Sequence, residues 1–254
     1  MNTLPWILRH PMRTPRLRLF CFCYAGGNAI AYLPWQAGLG LDIEVCAVQL
    51  PGRGARTGEA PFSCMESLMR ALMPVVGALD ELPFAFFGHS LGAMVAFELA
   101  RRLQGLGLAQ PEHLIVSGCA APRHRKPPRQ LHLLPADALI ETLREYNGTP
   151  HEILAHRELM DLLLPTIRAD FALVETYRYQ EAPLLALPLT VLAGRSDDAT
   201  GPASRTQWQR ETLGPCRIEW FEGDHFFIND AREAVLAVIR AALLHEAQAQ
   251  VPSH

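Results

Sequence analysis

The chain predicts an α/β fold, with a mostly parallel central sheet flanked by helices. Short apolar runs rich in strand formers recur along the whole sequence, from Leu17–Cys23 to Arg217–Glu222. Most are apolar almost without interruption, as in strands covered on both faces, rather than alternating like strands with one wet face. Segments of helical period separate them, the pattern of crossovers between parallel strands. A length of 254 residues suits one domain spanning 1–254.

In order, Leu17–Cys23 reads as the first strand and Ala29–Gln36 as a helix. Ile43–Leu50 reads as a strand, Cys64–Leu79 as a helix, Phe84–Gly88 as a strand and Leu91–Leu106 as a long helix. His113–Ser117 reads as the next strand. The alternation then stops. Residues from about 120 to 186 carry helical patterns only, over Leu134–Glu145, Glu152–Leu164 and Arg168–Tyr179. An all-helical insertion above a parallel sheet is suited to be a lid. Alternation resumes with strands Leu187–Ala193 and Arg217–Glu222 and helices Ala203–Leu213 and Ala231–Glu246.

Composition narrows the class. A net charge of −3 gives no electrostatic footprint for nucleic acid. The arginines and prolines between Pro5 and Arg18 break any signal-peptide core, and the apolar stretch Leu68–Gly88 is interrupted by Arg70, Asp80 and Glu81. No membrane span is expected, and the expected location is the cytoplasm. The six cysteines show neither C-x-x-C nor zinc spacing and are read as reduced thiols. His151 and His156 are five apart, not the four that H-E-x-x-H requires, so no metal is expected.

The sharpest local motif is Gly88-His89-Ser90-Leu91-Gly92, a G-x-S-x-G between a predicted strand and a predicted helix. That setting is the nucleophile elbow of α/β-hydrolases. The elbow forces its serine into a strained backbone conformation, and flanking glycines have no Cβ to clash across the turn. The serine hydroxyl then stands above the carboxyl edge of the sheet, where open α/β sheets bind ligands. Ser90 is the expected nucleophile.

A serine at its free pKa is a weak nucleophile, so it needs a base and an orienting acid, which follow it in this fold as Asp or Glu, then His. His225, in Glu222-Gly223-Asp224-His225-Phe226-Phe227, lies between the last strand and the last helix, whereas His245 and His254 belong to the terminal helix and tail. Asp197, just past the strand ending at Gly194, is the favoured acid and its neighbour Asp198 the competitor; Asp224 adjoins His225 in sequence and is expected to point elsewhere. The oxyanion donors are expected to be backbone amides. Leu91 is one, and the other comes from Tyr24-Ala25-Gly26-Gly27-Asn28, with Ala25 the first choice and Gly26 the second.

Taken together, these segments resemble the type II thioesterases of nonribosomal peptide and polyketide synthesis, from about Leu19 to Leu244. Phe20-Cys21-Phe22-Cys23-Tyr24-Ala25-Gly26-Gly27 is similar to that family's F-P-x-A-G-G loop, and Leu50-Pro51-Gly52-Arg53-Gly54-Ala55-Arg56 to its P-G-R-x-x-R segment. Gly148-Thr149-Pro150 and Leu164-Pro165-Thr166-Ile167-Arg168-Ala169-Asp170-Phe171 resemble its lid, and Gly194-Arg195-Ser196-Asp197 and Gly223-Asp224-His225-Phe226-Phe227 its acid and histidine loops. Cys23 stands where the family usually has Pro, and Asp224 where it often has another Gly.

The resemblance implies an enzyme that hydrolyses acyl or aminoacyl thioesters from the phosphopantetheine arm of carrier domains, clearing stalled groups from assembly lines. It implies carrier-protein partners, no cofactor and no metal; a monomer is the default. Two alternatives remain at this stage: an esterase of free esters or lipids on the same fold, and a non-enzymatic carrier-binding protein with a vestigial site. The stretch Arg123–Arg129 reads as a solvated Pro-rich loop or as a cationic face for a carrier. Leu159, Met160, Leu163, Tyr177 and Tyr179 read either as ordinary lid packing or as the lining of an acyl channel.

Overall fold

The computed structural model describes residues 6–249 except 80, 126, 147, 199 and 202–204, with the backbone alone over 245–249. The elements in chain order are β1 (Ile7–Leu8), β2 (Leu17–Phe22), α1 (Trp35–Leu39), β3 (Ile43–Val48), α2 (Met65–Gly77), β4 (Phe84–His89), α3 (Leu91–Gly105) and β5 (Leu114–Ser117). After them come α4 (Ala136–Tyr146), α5 (His151–Ala155), α6 (Arg157–Glu175), β6 (Leu189–Gly194), β7 (Cys216–Phe221), α7 (Phe227–Asp230) and α8 (Arg232–Ala249). The sheet order is β1-β3-β2-β4-β5-β6-β7. Every pairing is parallel except β1 with β3.

Side chains of successive strand residues go to opposite faces. Phe20, Phe22, Phe84 and Phe86 therefore pack with α2 and α3. Leu19, Cys21, Ala85 and Phe87 pack on the other face with Trp35 of α1 and Val235 and Ile239 of α8. Both faces are covered, which is why these strands read as continuous apolar runs. Strand order reverses at β2, with β3 on one side and β4 on the other, and Phe22 lies opposite Gly88 in the register. That reversal brings the loop after β2 beside the loop after β4, the place where open α/β sheets bind ligands.

All six strands expected from the sequence form, with ends shifted by a residue or two. The two-residue β1 was not anticipated; at that length it carries no periodicity to read. The helix expected over Ala29–Gln36 is instead a 3-10 turn, Ala29–Tyr32, followed by α1. Pro34 lies between them and has no N–H to continue a helix.

The two lid helices expected over Glu152–Leu164 and Arg168–Tyr179 are divided differently. The break falls at His156, whose ring accepts the Leu159 amide at 3.3 Å, and α6 then runs unbroken through Pro165. Pro165 faces solvent, where water can serve the carbonyl that loses its partner. Of the helix expected over Ala203–Leu213, residues 203 and 204 lie outside the described residues, and Gln207–Arg210 is a 3-10 turn. No helix among the described residues is long and apolar enough to cross a membrane.

Candidate active site

Ser90 sits between β4 and α3 with φ 55 and ψ −114, a strained backbone for a residue with a Cβ. The neighbouring glycines explain how the chain makes the turn. A Cβ on Gly88 would lie 2.0 Å from the Gly92 carbonyl oxygen, and one on Gly92 would lie 2.0 Å from the Phe22 carbonyl oxygen. The Ser90 amide donates to Ser117 O at 2.8 Å, tying the elbow to β5. The long helix α3, buried along most of its length, points its N-terminus at this position.

His225 and Asp197 arrive from the loops after β7 and β6, which bond to each other through Arg195 N to Phe221 O (2.9 Å) and Ser196 N to Gly223 O (3.0 Å). His225 Nδ1 and Asp197 Oδ2 are 3.1 Å apart. Nδ1 is thereby engaged, and Nε2 is the ring nitrogen left for proton exchange. Both side chains are largely buried, whereas Asp198 is exposed. Of the two acids weighed from the sequence, Asp197 is the one that meets His225. Asp224 accepts the Phe226 amide at 2.8 Å, a local turn bond. His254 and the His245 side chain lie outside the described residues.

Asp197 is held from several sides. Its Oδ2 accepts the Thr200 hydroxyl at 2.8 Å and lies 3.6 Å from Arg205 Nη2. Arg205 is almost wholly buried and also donates to Gly194 O at 2.8 Å and to the Thr200 hydroxyl at 2.6 Å. Burial pushes the Asp197 carboxyl up, but the His225 bond and charge, the Thr200 hydroxyl and the Arg205 cation outweigh it, and the net shift is downward. Asp197 is therefore a carboxylate at neutral pH, able to stabilise a charged imidazole. His89 lies behind the site, its Nδ1 2.9 Å from Ser117 Oγ and its ring 5.1 Å from that of His225. Burial first, and then the charge of His225, hold it well below its ordinary value, so it stays neutral.

Ser90 and His225 line a cavity of about 300 Å³ together with Ala25 and Leu91. The Ala25 and Leu91 amides have no hydrogen-bond partner among the described residues, whereas the Gly26 amide donates to Asp170 Oδ2 at 2.7 Å. Two free donors and a hydroxyl thus share one space beside a His–Asp pair, an arrangement that can stabilise negative charge on a carbonyl oxygen under attack.

The sequence profile described as "Thioesterase domain" matches residues 17–243. The chain belongs to the thioesterase family. It is a serine hydrolase acting on thioesters. The Gramicidin S biosynthesis protein GrsT of Aneurinibacillus migulanus is 38% identical over 217 residues, covering 85% of each chain. Thioesterase PikA5 of Streptomyces venezuelae is 38% identical over 230 residues, covering 89% of this chain and 80% of that one. The solved structure of the type II thioesterase BorB, from the borrelidin biosynthetic cluster, superposes with a TM-score of 0.85 at 38% identity, over 92% of this chain and 96% of that one.

In this thioesterase the lid supplies the cavity walls from positions that sequence reasoning did not single out. Tyr146 at the end of α4 and Phe171 of α6 border both the main cavity and a smaller chamber of about 40 Å³ that also meets Ser90. The channel candidates named from the sequence lie elsewhere. Met160 is fully buried in the lid's own apolar cluster, and Tyr177 donates to Glu98 at 2.5 Å. Tyr179 packs under Arg123, which pairs with Glu181 at 2.6 Å. From the basic stretch, Arg125 and Arg129 reach the cavity rim, whereas Lys126 lies outside the described residues. Thr200 and Arg205 gave no signal in the sequence, because their role depends on a loop whose path periodicity does not fix. Asp170 did leave one: it falls on the apolar stripe formed by Met160, Leu164, Ile167 and Leu173, where a carboxylate needs a buried partner.

Proposed function

We propose that Ser90, His225 and Asp197 act as a catalytic triad that removes acyl or aminoacyl groups from the phosphopantetheine arms of carrier domains in nonribosomal peptide or polyketide assembly lines. The observation that carries this reading is the buried Asp197–His225 pair facing the same cavity as a strained Ser90. Relatives named for gramicidin S and borrelidin biosynthesis support the substrate class.

Ser90 Oγ attacks the thioester carbonyl as His225 Nε2 takes its proton. Asp197 fixes the imidazole by its Nδ1 and stabilises the imidazolium. The Ala25 and Leu91 amides receive the oxyanion. The tetrahedral intermediate collapses to an acyl-serine and expels the pantetheine sulfur, which takes the proton from the His225 imidazolium and leaves as the thiol; it needs less protonation than an alkoxide because a thiol has a pKa near 8.5. Water then attacks the acyl-serine with His225 again as base, and the free acid leaves. Each step uses only the chain's own groups, without cofactor or metal. The partners are acyl or peptidyl carrier proteins, and the enzyme works as a monomer in the cytoplasm, where its unpaired cysteines persist as thiols.

The test compares an acyl-carrier-protein thioester with a p-nitrophenyl ester of the same acyl chain. A clearly higher kcat/KM on the carrier-bound thioester is expected. Faster turnover of the free ester, with no response to the carrier, would reassign the enzyme to free esters.

A further inference from the structure

One face of α6 reaches down to the loop after β2, which borders the nucleophile, and to the loop after β3. Asp170 on that face is fully buried. Its two oxygens accept a forked pair of bonds from Arg53, each at 2.7 Å, and Oδ2 also accepts the Gly26 amide at 2.7 Å. Arg53, itself largely buried, donates further to Gly27 O at 3.1 Å. One turn earlier, the Thr166 hydroxyl donates to Gly52 O at 2.7 Å. Neighbouring Phe171 and Val174 of the same helix wall the cavity.

We infer that Asp170, locked by Arg53, is a positioning residue for the oxyanion donor at Ala25, so that the donor is in place only while α6 is seated. This rests on the reading of Ala25 as that donor. Gly26 has φ 73, a conformation in which glycine imposes no steric limit of its own on the peptide joining it to Ala25. The bond to Asp170 fixes that peptide, and with it the Ala25 Cα from which the donor N–H of the preceding peptide is hung. It also removes Gly26 from competition, which leaves Ala25, a cavity-lining residue whose amide has no partner among the described residues, as the donor of this loop. The charge of Asp170 matters because three donors converge on two oxygens. Asparagine offers one oxygen and sets an N–H against either Arg53 or Gly26. The helix that walls the acyl cavity is therefore also the helix that sets the donor. A substrate that unseats α6 loses transition-state stabilisation as well as contacts.

The test is Asp170→Asn, read on the carrier-bound thioester beside Ser90→Ala. Loss of a whole oxyanion donor lowers kcat by about 10²–10³, so a misplaced donor is expected to lower it by about tenfold or more, with KM nearly unchanged. A short alkylboronic acid mimics the tetrahedral adduct, and its affinity is expected to fall in parallel. A non-hydrolysable pantetheine thioether of the same acyl length is expected to bind as to wild type. A purely structural role would lower Tm without moving the ratio of boronate to thioether affinity. Arg53→Lys provides a second reading should Asp170→Asn fail to fold. It keeps the charge and loses the fork, so a smaller loss of kcat and of boronate affinity is expected. If either folded variant keeps wild-type kcat and boronate affinity while Ser90→Ala is inactive, the inference is wrong and the triad stands. Turnover by Ser90→Ala would remove the triad and this inference with it.

Discussion

Phe20, Phe86 and Phe87 lie below Ser90 in apolar layers that extend across the sheet, whereas Leu139, Met160 and Leu164 lie above it in a smaller cluster of their own. The catalytic edge is built on the first region and covered by the second. At the C-terminal end of α6, Leu173 joins the main core and Val174 packs against it. Polar bonds do much of the joining: Asp170 to Arg53 and Gly26, Thr166 to Gly52, and Tyr177 to Glu98. Apolar packing is non-directional and tolerates small shifts, whereas a forked ion pair holds in one geometry. The lid is thus placed by a few directional bonds, and those bonds are the sensitive ones.

Substitutions on the catalytic edge are expected to have the largest effect. His225→Ala should lower kcat by about 10⁶-fold with little change in thermal midpoint, and Asp197→Asn should lower kcat by about 10⁴-fold and also lower the thermal midpoint, because it leaves buried Arg205 without its carboxylate. Steady-state kinetics on a carrier-bound thioester checks both. A loss of less than tenfold in Asp197→Asn would mean that Asp197 does not orient the base.

Core truncations on the two sides sharpen the contrast. Phe86→Ala should cost about 3–5 kcal/mol of global stability by urea unfolding. Met160→Ala removes an equally buried side chain, but the lid can open locally, so its global cost should fall below the usual range of about 2–5 kcal/mol while KM rises. Equal global costs would erase the distinction between the regions. Arg205→Met should cost about 3 kcal/mol, because it breaks a buried charge pair and leaves Asp197 less compensated.

A smaller effect follows from pH. The folded Asp197 carboxyl lies below its ordinary value, so its contribution to stability is complete above an unfolded pKa of about 3.9 and is lost as pH falls through the lower folded value. The stability gap between wild type and Asp197→Asn should be flat at neutral pH and close only below about pH 4. At the bottom of the scale, Arg157→Ala removes an exposed pair with Asp137 on the lid surface and should change stability by less than about 0.5 kcal/mol.

The same contrast governs what the sequence disclosed. Strands buried on both faces announce themselves as apolar runs, so β2 to β6 were legible, as was the elbow, whose glycines are required by backbone clearance. His225 could be read from its place after the last strand, and Asp197 could be narrowed to a pair of neighbours. The choice between Asp197 and Asp198 needed the loop's path, because burial of one and exposure of the other is a three-dimensional fact. The lid was legible as helical but not in its divisions. The expected gap between Leu164 and Arg168 falls inside α6, where Pro165 lies on a solvent face, a placement that helices tolerate, and the true break at His156 depends on a side-chain cap. Arg53 and Asp170 stood in recognised segments without a role, since their meeting spans 117 residues of sequence.

The most direct test is rapid-quench mass spectrometry of the intact enzyme mixed with an acyl-carrier-protein thioester. We expect a transient mass gain equal to the acyl group, mapping to the peptide that contains Ser90, and neither adduct nor carrier discharge in Ser90→Ala. Carrier discharge by Ser90→Ala at the wild-type rate, or an acyl adduct on a different residue, would contradict Ser90 as the nucleophile.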